Sequence, residues 1–284
     1  MFKKIFFAAA LLLASELGAK PVVIASIAPV EYLAKAVGGD KIEVQSLAKG
    51  DVHSYEPKPN DMKAVAKARI FIAAGLEFEE AWIPRFKASA KNLVVVKSDA
   101  KIAKLKEERG EQVEHDEKHE AHADPHVWLN PMLAITMARN ISDALIDMDK
   151  ANKDFYLENF QKLMNDLLAF DESAKNELAG LKNRKFVVYH PAWGYFAAHY
   201  DLEQISIERS GKEPKIDEMA STLKMIKDEN IKVIFADPNR SQKSAQILAS
   251  QTGAKVELLD PLGYNLLENL KIAVGAIKDA NSPK

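Results

Sequence analysis

The chain has 284 residues, with 39 Lys+Arg against 41 Asp+Glu, seven His and no Cys. That length suits one large domain or two ordinary ones, and 47% hydrophobic with 28% charged residues is a globular composition. A formal net charge of −2 gives no electrostatic reason to expect nucleic acid as a partner. The lack of cysteine excludes disulfide scaffolds, thiolate zinc fingers, iron–sulfur clusters, cysteine nucleophiles and lipidation at an N-terminal cysteine. Any transition metal must therefore be held by His, Asp, Glu or water.

Residues 1–19 read as a signal peptide: Lys3 and Lys4 precede the uncharged run Ile5–Ala14, which is too short to span a bilayer, and Ala19 offers a cleavage point. A periplasmic protein, exported and without a visible anchor, is expected. The first lobe is expected over residues 20–150, with strands at Pro21–Ile27, Ile42–Leu47, Arg69–Ala74 and Leu93–Val96. Helical patterns lie between them at Pro29–Val37, Asn60–Lys67 and Phe78–Ser89, and Pro131–Asp147 opens another helix with Pro at its start. Residues 151–181 form a linking element: Phe155, Phe160, Leu163, Leu167, Phe170 and Leu178 recur at helical spacing over 153–181, a helix of about 40 Å at 1.5 Å per residue. In residues 182–284 the alternation resumes, with strands at Phe186–Tyr189, Leu202–Ile207, Val233–Ala236 and Lys255–Leu259. Helices are expected there near Gly194–His199, Ile216–Glu229, Ser241–Gln251 and Asn265–Lys278. The fold class is therefore α/β: two βα lobes with mostly parallel four-stranded sheets, joined by one long helix.

Ligands of open α/β sheets bind beyond the carboxyl ends of strands. Three stretches put a metal-capable side chain there: His53 in Lys49–Pro57, His190 in His190–Gly194 and Asp260 in Asp260–Gly263. A fourth candidate, His126 in Asp124–Pro131, directly precedes a helix. Taken singly, each His also reads as a surface or hydrogen-bonding residue, and Asp260 as a cap or turn residue. Three imidazoles and one carboxylate together would suit a tetrahedral divalent metal.

These residues carry a family resemblance. The segments VVIASIAPVEYLAKAVGG, GDVHSYEPKPNDM, DPHVWLNP, VVYHPAWGYFA and VELLDPLG, with the long helix between them, resemble the metal-binding receptors of bacterial ABC importers for zinc and manganese, the ZnuA-type cluster A-I group. The resemblance implies two α/β lobes joined by a single long helix, with the metal in the cleft. It also implies His53, His126 and His190 as metal ligands, Asp260 or water as the fourth, and an ABC transporter permease of the inner membrane as partner. Some zinc-type members have a Glu immediately before the first His, where Val52 stands here; only Asp51 or Glu56 could supply a carboxylate from that loop. Some also carry a disulfide in the second lobe, which this chain cannot form.

The acidic stretch at 107–125 carries His115, His119 and His122, an auxiliary place to gather metal weakly. Its HDEKH segment lacks the glutamate of a metalloprotease helix, because Asp116 occupies that position. Three nitrogen donors favour Zn2+, with Mn2+ as the alternative cargo. The expected function is capture of Zn2+ and its delivery to the permease, without enzymatic activity, by a monomer. A zinc-dependent hydrolase, with Glu56 or Asp237 as base, and a metal-linked adhesin are the competing readings.

Overall fold

The computed structural model describes residues 19–106, 123–208 and 216–281. Most of the expected signal peptide, together with His115, His119 and His122, lies outside the described residues. Among the described residues no helix is long and apolar enough to cross a membrane.

The first half contains β1 (Val22–Ala25), α1 (Ala28–Gly38), β2 (Glu43–Ser46), α2 (Pro59–Val65), β3 (Ile70–Ala73), α3 (Glu77–Ser89), β4 (Val94–Lys97) and α4 (Pro131–Met148). The long helix α5 covers Lys153–Ala179. The second half contains β5 (Lys185–Val188), α6 (Gly194–His199), β6 (Glu203–Ser206), α7 (Ile216–Asp228), β7 (Val233–Ala236), α8 (Lys243–Thr252), β8 (Lys255–Leu258) and α9 (Leu266–Asn281). Each half folds around a four-stranded sheet, in the orders β2-β1-β3-β4 and β6-β5-β7-β8, and every strand pairing within the two sheets is parallel. The molecule is thus a two-lobed α/β protein.

The central strands β1, β3 and β7 are apolar along their whole length, and β5 after its first residue Lys185, because both of their faces are covered. In β1, Val23 and Ala25 face the core shared by the lobes, while Ile24 faces a smaller cluster beneath α2 and α3. The second lobe repeats this in β7: Val233 and Phe235 join the shared core, and Ile234 and Ala236 pack beneath α7 and α8. Edge strands β2 and β8, EVQS and KVEL, are more polar and more exposed.

Helix α5 forms because Tyr156, Phe160, Leu163, Leu167, Phe170, Ala174 and Leu178 bury one stripe at helical spacing. It packs on α1 and α4 in the first lobe and on α9 in the second. One apolar cluster therefore runs from Val23 and Met137 through α5 to Phe235 and Leu270. His199, for which the sequence suggested no role, fastens α6 to this helix: its Nε2 lies 2.6 Å from Asp171 Oδ1, and Lys175 donates to the other oxygen at 2.7 Å.

Candidate metal centre

In the order β2-β1-β3-β4, the chain leaves β1 to one side and returns to β3 on the other, so the loops diverge at the carboxyl ends of the central strands. The second sheet repeats the arrangement at β5 and β7. These are the positions at which parallel sheets leave room for a ligand.

His53 comes from the coil after β2. Gly50 takes a positive φ of 82° there, and Asp51 then organises the turn, accepting the backbone N–H of His53 at 3.2 Å and the Ser54 hydroxyl at 3.1 Å. His126 opens a short 3-10 turn over Val127–Leu129. Asp124 Oδ1 accepts its backbone N–H at 2.9 Å and faces its Nδ1 at 2.7 Å. Asn130 then caps α4 by accepting from Met132 and Leu133, with Pro131 in the first helical position. His190 follows β5 by two residues, and its Nδ1 faces Glu208 Oε2 at 2.7 Å.

The three rings meet although they come from distant parts of the chain. Their centroids lie 5.0 to 5.5 Å apart, and one candidate ligand atom from each lies within 4.8 Å of the others. His126 and His190 are buried, whereas His53 is exposed at the rim. With the carboxylates accepting at Nδ1, that nitrogen carries the proton in His126 and His190, and Nε2 keeps the lone pair a metal needs.

Desolvation lowers the pKa of His53 to about 4, and the positive fields of His126 and Arg240 add to the effect. His190 is held well below its ordinary value, first by burial and then by His126, His53 and Arg240. Glu208 alone would favour a charged imidazole, but Arg240 Nη2 pairs with Glu208 at 2.5 Å and offsets that pull. Both effects favour neutral, electron-donating imidazoles at His53 and His190, the protonation state required of imidazole ligands.

Asp260 does not belong to the three-residue cluster. It follows β8 as expected, but its Oδ1 accepts from Asn239 Nδ2 and from the Leu262 backbone, both at 2.8 Å. Asp237 lines the space beside the rings, and its Oδ1 accepts from the Asn239 backbone and side chain at 2.7 and 3.1 Å. Burial raises its pKa. Of the other carboxylates considered from sequence, Asp51 shapes the His53 turn, whereas Glu56 is exposed. Glu208 and Arg240 were missed by the sequence reading. Glu208 stands two residues beyond β6, so the strand-end rule that selected His190 and Asp260 could have found it. No local pattern marks Arg240.

The two lobes are tied together around the cluster. Trp128, fully buried, donates through Nε1 to the carbonyl of Pro261 at 2.8 Å. Tyr195 donates its hydroxyl to the carbonyl of Asp124 and accepts from the Leu105 backbone, each at 2.8 Å.

A family model described as "Zinc-uptake complex component A periplasmic" (ZnuA) matches residues 23–280. The chain belongs to this family. It is 30% identical over 284 residues to the high-affinity zinc uptake system protein ZnuA of Bacillus subtilis (strain 168), covering 93% of this chain and 88% of that protein. Against the zinc-binding protein AdcA of Streptococcus pyogenes serotype M3 (strain ATCC BAA-595 / MGAS315) it is 31% identical over 265 residues, 84% of this chain, and spans only 50% of AdcA. A crystal structure of ZnuA superposes with a TM-score of 0.87 at 35% identity, covering 93% of this chain and all of that one. ZnuA-family members are metal-binding receptors of transport systems rather than enzymes, and the three-imidazole cluster is a candidate zinc site of that kind.

Proposed function

We propose that the protein captures Zn2+ between its lobes through His53, His126 and His190 and delivers it to the permease of an ABC importer. The observation that carries this reading is the convergence of three imidazoles, one candidate ligand atom from each lying within 4.8 Å of the others. Two of the rings are oriented by buried carboxylates, an arrangement that raises ligand basicity and fixes the donating nitrogen. A nitrogen-rich donor set favours Zn2+ over Mn2+, which prefers oxygen ligands. Water or Asp260 completes the tetrahedron, and His115, His119 and His122 serve as weaker, auxiliary sites for the same cargo. The protein works as a monomer in the periplasm, after removal of residues 1–19.

The test is a competition titration of metal-free protein with Zn2+ and Mn2+, using the wild type and the variants His53→Ala, His126→Ala and His190→Ala. One tight zinc site per chain, weakened in each variant, is expected. Tight zinc binding in all three variants, or preference for Mn2+, would overturn the assignment. X-ray absorption at the zinc edge then counts imidazole and oxygen donors and separates water from Asp260.

A further inference from the structure

The three imidazoles are not supported alike. Asp124 orients His126 from two residues away, and Glu208 orients His190 from within the same lobe. His53 sits on a coil, is exposed, and has no hydrogen-bonded carboxylate at its ring among the described residues. What holds its loop is Asp51, and Asp51 is in turn held from the opposite lobe. Arg240 Nη1 reaches Asp51 Oδ1 at 3.3 Å, while Nη2 of the same guanidinium binds Glu208 Oε1 at 2.5 Å. Glu208 uses its other oxygen for His190. A continuous path thus runs from the His53 turn through Asp51, Arg240 and Glu208 to the Nδ1 of His190.

The chemistry of this link is specific to arginine. A planar guanidinium offers donors in fixed, divergent directions and can hold two carboxylates at once, whereas an ammonium is a point charge on a flexible stem. The Arg240 side chain is only 16% exposed and Glu208 only 3%, so water competes poorly for that pair, while Asp51 at the other end is 34% exposed. Resting on the zinc-site reading above, we infer that Arg240 is a positioning residue that registers the His53 loop against His190 across the lobe boundary, so that the third imidazole arrives only when the lobes are in register. Arg240 does not touch the metal; it acts through two ligands that belong to different lobes.

The test uses the full mature chain, Zn2+ competition titrations and the visible spectrum of the Co2+-loaded protein. Arg240→Gln is expected to weaken Zn2+ about 10- to 100-fold, the usual cost of losing a group that orients a ligand. Its Co2+ bands should lose intensity as water replaces His53. Arg240→Lys keeps the charge and should fail to restore either property; wild-type behaviour in this variant would overturn the two-carboxylate link. In the Arg240→Gln background, His53→Ala should cost less than it does in the wild type, because that ligand is already loosened. Full additivity would overturn the coupling. Should Arg240→Gln not fold, Asp51→Asn carries the test, since it leaves the Arg240–Glu208 pair intact and should weaken Zn2+ through His53 alone. If the three single His→Ala variants weaken Zn2+ but Arg240→Gln and Asp51→Asn bind within twofold of wild type, the positioning role fails and the zinc site stands. If the His→Ala variants themselves keep tight Zn2+, the site assignment fails first.

Discussion

Asp124 offers a clean way to separate holding a ligand from being one. Its Oδ1 accepts both the backbone N–H and the ring Nδ1–H of His126, at 2.9 and 2.7 Å, in a residue only 6% exposed. Asp124→Asn keeps an acceptor oxygen in place but removes its charge. A hydrogen bond to a charged group is worth about 1.5–3 kcal/mol against about 1 kcal/mol for a neutral one, so the loss is about 0.5–2 kcal/mol. That corresponds to roughly 2- to 30-fold weaker zinc binding. Asp124→Ala also leaves the ring free to take the other tautomer, which raises the expected loss to about 100-fold, the upper end for such supporting groups. Competition with a chromophoric chelator at neutral pH measures both, and thermal unfolding of the metal-free variants separates loss of site from loss of fold. Zinc affinity within twofold of wild type in both variants would refute the claim that a carboxylate-held Nδ1–H is what makes His126 a good donor.

The lowered pKa values set the pH response. Protons compete with metal for His53 only as pH approaches about 4, so the share of zinc affinity that His53 contributes should persist as pH falls toward that value, as isothermal titrations of the wild type and His53→Ala in matched buffers would show. The metal-free protein should behave differently: unfolded imidazoles take up protons below about 6.5 while the folded His53 and His190 resist, so their contribution to stability is lost as pH falls below about 6.5, for His53 down to about 4. His53→Asn should flatten that loss in chemical denaturation. Gly75 has φ of +95°, and a Cβ there would lie 2.3 Å from Asp99 Oδ2 and 2.4 Å from Lys104 Nζ. Gly75→Ala should therefore cost about 1–3 kcal/mol and lower Tm by several degrees, with zinc affinity unchanged; an unaltered Tm would contradict the strain. Deleting residues 107–122 should reduce the total metal bound at saturation but leave one site of wild-type affinity, and loss of that site would assign the acidic stretch a larger part.

Much of the local structure was legible from the chain. Runs such as VVIA, IFIA and VIFA announce strands because both of their faces are buried, and the stripe from Tyr156 to Leu178 announces α5 because one side of a helix must be. Element ends were less sharp. Pro21–Ile27 was expected where the strand is Val22–Ala25, since Ser26 and Ile27 are buried like strand residues although they already lie beyond it. His126 and His190 could be picked out because turn-forming neighbours place them at element ends, and Asp260 could be picked out for the same reason. Nothing in their spacing tells that the first two meet His53, or that Asp260 Oδ1 accepts from Asn239 and Leu262.

By itself, then, the sequence determined the βα alternation, the long connecting helix and a donor set confined to nitrogen and oxygen, because these depend on side-chain type and on periods of two and 3.6 residues. The tertiary structure decided which donors converge and what holds them. That required the order of strands in two sheets and the docking of one lobe on the other, which bring His53 to within 4.8 Å of donors far along the chain and lay Arg240 between Asp51 and Glu208. Those contacts join residues with no shared periodicity or local motif, so they exist only once the shared core has closed around α5.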